Sequence, residues 1–191
     1  VEMLAGIDKK YVMLRAVEYS PRIKEIANLE KLDMSGGMLC NDEIPSEVFR
    51  IRLTTLRWKR ANLVHVNGVQ RMTWLTELDL IYNDITELPK EMWRMKSLRV
   101  LILSHNRIEV IPDSFVRFTA LVRISLWDNK IADFPWQFLN CRGLQDIDLD
   151  GKPLHDQFPE LRLVVLQKKT AYYLEFARVR KNRAEHGAMN M

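Results

Sequence analysis

One pattern, returning at an almost constant step, governs what this chain can fold into. Three stretches carry it in full: L-T-E-L-D-L-I-Y-N-D-I-T-E-L-P from Leu75, L-R-V-L-I-L-S-H-N-R-I-E-V-I-P from Leu98 and L-V-R-I-S-L-W-D-N-K-I-A-D-F-P from Leu121. Each has apolar residues at the first, fourth, sixth, eleventh and fourteenth places, Asn at the ninth and Pro at the fifteenth. Weaker copies start at Leu29, Leu53 and Leu144, with Gly37, Ala61 and Lys152 in the Asn place, so the steps between starts are 24, 22, 23, 23 and 23 residues. A unit this short cannot bury its own apolar edge. It is stable only stacked against the next copy, with something closing each end of the stack.

Within each copy, apolar residues at the fourth and sixth places alternate with others, the period of a strand with one face inward. The second half has a different rhythm: Pro89, Met92, Met95 and Leu98, then Pro112, Phe115, Phe118 and Leu121, recur every three residues, as in a turn of helix. Each copy is therefore expected to run strand, bend, turn and return.

This pattern resembles the leucine-rich repeat family in its common form of about 23 residues, over residues 29 to about 159. The resemblance implies an α/β fold: a leucine-rich-repeat solenoid with a curved parallel β-sheet on its concave face and loops or single helical turns on its convex face. It also implies that Asn83, Asn106 and Asn129 form a buried ladder whose amides satisfy backbone groups at the bend. Helical caps are expected at both ends, giving an N-terminal cap over 1–28, the solenoid over 29–159 and a C-terminal cap, helix and basic tail over 160–191. Leu4, Ile7, Tyr11 and Leu14 recur at helical spacing before Pro21. At the other end, the run from Leu161 to Leu166 precedes a helical stretch with Tyr172, Tyr173, Phe176 and Val179.

Composition narrows the class. With 191 residues and 47% apolar content the chain can fill a core, and 7 Gly and 7 Pro exclude collagen-like or low-complexity material. No apolar run approaches the roughly 18 residues of a membrane-spanning helix. Two cysteines, Cys40 and Cys141, make no disulfide framework. Four stacking steps of about 4.8 Å would separate them by about 19 Å, too far for a bond. A reducing, intracellular location, cytoplasmic or mitochondrial, is expected, and secretion is not, because the resemblance implies cysteine-rich caps for extracellular members. The chain begins without an initiator Met or a charged-then-apolar leader, which leaves open a removed leader or a late start.

Catalysis finds no foothold. His65, His105, His155 and His186 are scattered, and metal-ligand spacings, phosphate-binding loops and nucleophile motifs are missing from the sequence. Cys141 shares its repeat place with Met95 and Phe118 and reads as a small buried hydrophobe. No catalytic residue, metal ligand, cofactor or small-molecule substrate is expected.

Side chains between the framework residues should face the concave side. They form three zones: a basic strip of Arg57, Lys59 and Arg60; an apolar and aromatic centre of Ile81, Tyr82, Val100, Ile102 and Trp127; and an acidic end of Asp146, Asp148 and Asp150. Asp79, His105 and Arg123 complete the surface. Trp, Tyr and Ile clustered beside charge have the composition of a protein-interface hot spot. The expected function is therefore that of a non-enzymatic protein–protein interaction module, a structural or adaptor subunit of a larger assembly.

The basic residues support an alternative. Arg50, Arg52, Arg57, Lys59, Arg60 and Arg71 occur between Val48 and Thr76 with no acid among them, and Lys168, Lys169, Arg178, Arg180, Lys181 and Arg183 enrich the C-terminal segment. The net charge is +4. Basic surfaces with interleaved aromatics bind RNA backbone, so the alternative is a subunit of a ribonucleoprotein such as a mitochondrial ribosome. Trp58, at a framework place, is expected in the core.

Overall fold

The framework residues recur at one place in every repeat because each strand stacks in register on the next. The computed structural model describes residues 11–13, 23, 28–36, 42–141, 143–149, 175, 178 and 179. Its strands are Tyr11–Met13 (β1), Lys31–Asp33 (β2), Thr55–Arg57 (β3), Glu77–Asp79 (β4), Val100–Ile102 (β5), Arg123–Ser125 (β6) and Asp146–Asp148 (β7). They form one parallel sheet in chain order. Leu32, Leu56, Leu78, Leu101, Ile124 and Ile147, all at the fourth place, line up across it. All six are buried and form the inner row of a continuous core.

The N-terminal segment departs from expectation. Tyr11 belongs to a strand and not to a helix: β1 pairs in parallel with β2, Tyr11 opposite Lys31 and Val12 opposite Leu32. The exposed edge of β2 carries backbone donors and acceptors that a further strand satisfies, and Tyr and Val favour that conformation. Leu4, Ile7 and Leu14 lie outside the described residues. At the far end Glu175, Arg178 and Val179 have helical backbone, but Val179 is 41% exposed and so does not itself cover the last repeat. The remainder of the expected C-terminal cap lies outside the described residues.

On the convex side the three-residue rhythm is realised as 3₁₀ turns at Val48–Arg50, Val69–Arg71, Lys90–Arg94, Asp113–Arg117 and Trp136–Asn140. A 3₁₀ helix has three residues per turn, so residues three apart share one face. Met92 and Met95, then Phe115 and Phe118, thus point together into the core, the two Phe rings edge to face at 4.9 Å. The repeat from Leu53 closes differently. Gly68, at φ 100°, lies so close to the Phe49 ring that a Cβ there would stand 2.3 Å from Phe49 Cε2. Only glycine meets both conditions.

The bends after β4, β5 and β6 are held by the asparagine ladder. Asn83 Oδ1 accepts hydrogen bonds from the Ala61 and Leu63 backbone N–H groups at 3.0 and 3.1 Å, while its Nδ2 donates to the Trp58 and Leu80 carbonyls. Asn106 accepts from Ile85 N and donates to Leu80 and Leu103; Asn129 accepts from Ile108 N and donates to Leu103 and Leu126. Each amide ties its own repeat to the one before. Trp58 is fully buried in the sixth place, and its indole N–H has no hydrogen-bond partner among the described residues.

Candidate protein-binding face

The concave face begins where each strand ends. The residue just before the ladder Asn, or its equivalent, has left-handed backbone in four successive repeats: Arg60 (φ 53°), Tyr82 (59°), His105 (55°) and Asp128 (55°). Such a φ is uncommon for residues other than Gly, Asn and Asp. It is held here because the inter-strand ladder continues through the place: Arg60 N donates to Ile81 O, Tyr82 N to Ser104 O and His105 N to Trp127 O.

That geometry lines up side chains from four repeats. The Arg60 guanidinium lies 4.7 Å from the Tyr82 ring centroid. Tyr82 stacks on His105, with centroids 4.1 Å apart and planes 9° apart, and His105 meets the Trp127 ring edge to face at 4.4 Å. His105 is oriented by a 2.7 Å contact from Nδ1 to Asp128 Oδ2. Tyr82 and Trp127 remain 43% and 45% exposed, and Ile81, Val100 and Ile102 are half-buried. Arg60, Tyr82, His105 and Trp127 thus form one contiguous row across four repeats.

The charged zones behave differently. Arg57 pairs with Glu77, Nη2 to Oε1 at 2.9 Å and Nε to the same oxygen at 3.1 Å. Lys59 Nζ lies 2.6 Å from Asp79 Oδ2. Asp79, expected on the open surface, is instead buried beneath Lys59, and its Oδ1 also accepts from Ile81 N. Arg123 pairs with Asp146 at 3.1 Å. Asp148 is half-buried and accepts from Ser125 Oγ at 3.5 Å, and Ser125 shares a 2.6 Å hydrogen bond with Ser104. Arg57 and Lys59 of the basic strip and Asp146 of the acidic end thus spend their charge on neighbouring strands, while Arg60 does not. Glu77 and Asp128 are the partners that the sequence reading left out of the site, although both lie at concave places of the repeat.

Arg178 is exposed and lies 4.0 Å from Glu175. Lys168, Lys169, Arg180, Lys181, Arg183, Asp150 and Cys40 lie outside the described residues. Cys141 is buried, its Sγ donates to Phe115 O, and burial pushes the thiol from its ordinary 9.0 up to about 11. Among the described residues no group of three or more His, Cys, Asp and Glu could hold a metal, and no helix is long and apolar enough to cross a membrane.

Register, asparagine ladder and convex turns together define a repeat class, and residues 52–108 and 73–131 match the leucine rich repeat family. Residues 52–131 thus match leucine-rich repeats. Its fold is similar to that of an internalin from Listeria monocytogenes (TM-score 0.62, 21% identity, covering 73% of this chain and 39% of the internalin). It is also similar to a leucine-rich-repeat protein of Leptospira interrogans (0.56, 24%, covering 72% and 40%). A third likeness is to a plant peptide hormone receptor solved in complex with RGF2 (0.56, 22%, covering 70% and 22%). At these identities the likeness is one of fold, and the chain spans well under half the length of each. No match to the sequence is found among the curated proteins.

Proposed function

We propose that this chain is a protein-binding module that acts as a structural or adaptor subunit of a larger assembly, holding its partner on the concave sheet. One observation carries the reading: the unbroken row from Arg60 through Tyr82 and His105 to Trp127, with Ile81, Val100 and Ile102 half-buried on the same repeats. Rigid, partly exposed aromatics next to aliphatic side chains make large apolar contact at low entropic cost. The flanking cations and acids largely neutralise one another in place. They therefore set the orientation of a partner more than they attract one. A plant receptor of the same fold, solved with RGF2, supports the general idea that such a framework can hold a polypeptide.

The test is affinity capture with the tagged full chain from its own cell lysate, at physiological and high salt and with ribonuclease, beside a Trp127→Ala and Ile102→Ala variant. A partner that withstands salt and ribonuclease and is lost from the variant supports the reading. A partner retained undiminished by the variant overturns it.

A further inference from the structure

The six cations between Val48 and Thr76 do not share a surface. Arg57, Lys59 and Arg60 lie on the concave side, where Arg57 and Lys59 have acidic partners and Arg60 covers Tyr82. Arg50, Arg52 and Arg71 lie at the convex turns, and there the stacking brings in others. Four successive 3₁₀ turns end in an arginine: Arg50, Arg71, Arg94 and Arg117. Arg52 and Lys96 follow two residues behind the first and third, and all six side chains are exposed. Among the described residues none of the six is in an ion pair, whereas Arg57, Lys59, Arg107 and Arg123, four of the cations elsewhere on the solenoid, are. Glu47 and Glu91 stand three residues before Arg50 and Arg94, and Asp113 four before Arg117, at the leading end of the same turns, and none of them is in an ion pair with the row among the described residues.

Two tryptophans are set into this row. Arg117 lies 3.7 Å, Lys96 4.5 Å and Arg94 6.0 Å from the Trp93 ring centroid, so three cations from two repeats gather around one indole. Arg52 lies 4.8 Å from the ring of Trp74, which is 55% exposed. An indole face attracts cations but does not neutralise them. The row therefore keeps its cations out of ion pairs, one turn after another along the stack.

We propose that this convex row is a binding surface for single-stranded RNA, its arginines meeting successive phosphates and Trp74 stacking on a base. A line of unpaired cations complements a linear polyanion. Its rungs follow one per repeat, no closer than the strand spacing of about 4.8 Å, the same order as the rise per nucleotide of a strand. Arg and exposed Trp side by side are the two elements of sequence-tolerant single-strand binding. This face is separate from the concave one, so the two can be occupied together.

The experiment is fluorescence anisotropy of labelled oligouridine of about twelve nucleotides with the full chain, from about 50 to about 200 mM salt. The comparators are heparin and vesicles containing phosphatidylserine. The expected result is binding that weakens at least tenfold over that salt range and at least tenfold in the Arg94→Ala, Lys96→Ala, Arg117→Ala triple variant. Binding should be retained when the two arginines are changed to Lys, weakened several-fold further by Trp74→Ala, and unchanged by Trp127→Ala. The wild-type salt dependence and the lysine variant keep the test decisive if the triple variant folds poorly. Failure to bind oligouridine at the lowest salt overturns the proposal, as does equal binding by the folded triple variant. Tighter binding to vesicles or heparin with no effect of Trp74→Ala also overturns it, in favour of a headgroup or general polyanion surface.

Discussion

The Tyr82 ring lies flat on the imidazole of His105, 4.1 Å between centroids, although the two residues belong to different repeats. The stack continues into Trp127, so the loss of one ring exposes the next. Trp127→Ala and Ile102→Ala are each expected to weaken the concave-face partner roughly tenfold or more. Both side chains are only partly buried, so the thermal midpoint should move by less than about 4 °C. Isothermal titration with the captured partner and calorimetric melting of the free chain measure the two effects separately.

The asparagine ladder should behave oppositely, as a matter of stability alone. Asn106→Ala strands the Ile85 N–H and removes the donor to the Leu80 and Leu103 carbonyls, all in the interior. At about 1 kcal/mol or more per unmet group, the loss is about 3 kcal/mol, or roughly 6–12 °C in the midpoint. Glu109→Ala, an exposed change, is expected within about 0.5 kcal/mol of the parent. Urea unfolding with a common slope checks both.

Ion pairs of similar length on the concave face should differ in worth. Asp79 is buried, so Lys59→Met leaves a carboxylate without its cation and should cost about 1–3 kcal/mol. Arg123 and Asp146 are both about half exposed, and Arg123→Met should cost less than about 1 kcal/mol. Adding Asp79→Asn to Lys59→Met should recover part of the loss. A double-mutant cycle by urea unfolding shows whether burial makes the difference.

Cys141 provides a pH test. Its thiol is raised from 9.0 to about 11 by burial, so the folded chain holds the proton over a range where the unfolded chain has released it. The sign follows: the contribution of Cys141 to stability is complete below the ordinary value and is lost as pH rises from there to about 11. Relative to Cys141→Val, the parent should lose stability across that window. At about pH 8 the Cys141 peptide should be alkylated by iodoacetamide far more slowly in the folded chain than in urea, as read by mass spectrometry.

How much of this was legible beforehand divides along a physical line. Strand positions, the framework core, the convex turns and the interior place of Cys141 all follow from a period written into the chain itself, while the role of the ladder asparagines came from the family resemblance. A residue's place in a repeat decides whether it faces inward, and that information is local. The extra strand β1 was not legible. Tyr11 fits a helical spacing and a strand equally well, and the open edge of β2 decided between them.

The sequence by itself determined the repeat and the inward framework places, and the family resemblance supplied the parallel sheet. Only the tertiary structure decided what the residues between those places do to one another. Tyr82 and His105, Lys59 and Asp79, and Trp93 and Arg117 are each about one repeat apart along the chain and in contact across the stack. Stacking turned a list of concave cations into neutralised pairs and gathered convex ones into an unpaired row. Contacts between repeats depend on how one turn sits upon the next, and no local pattern records that.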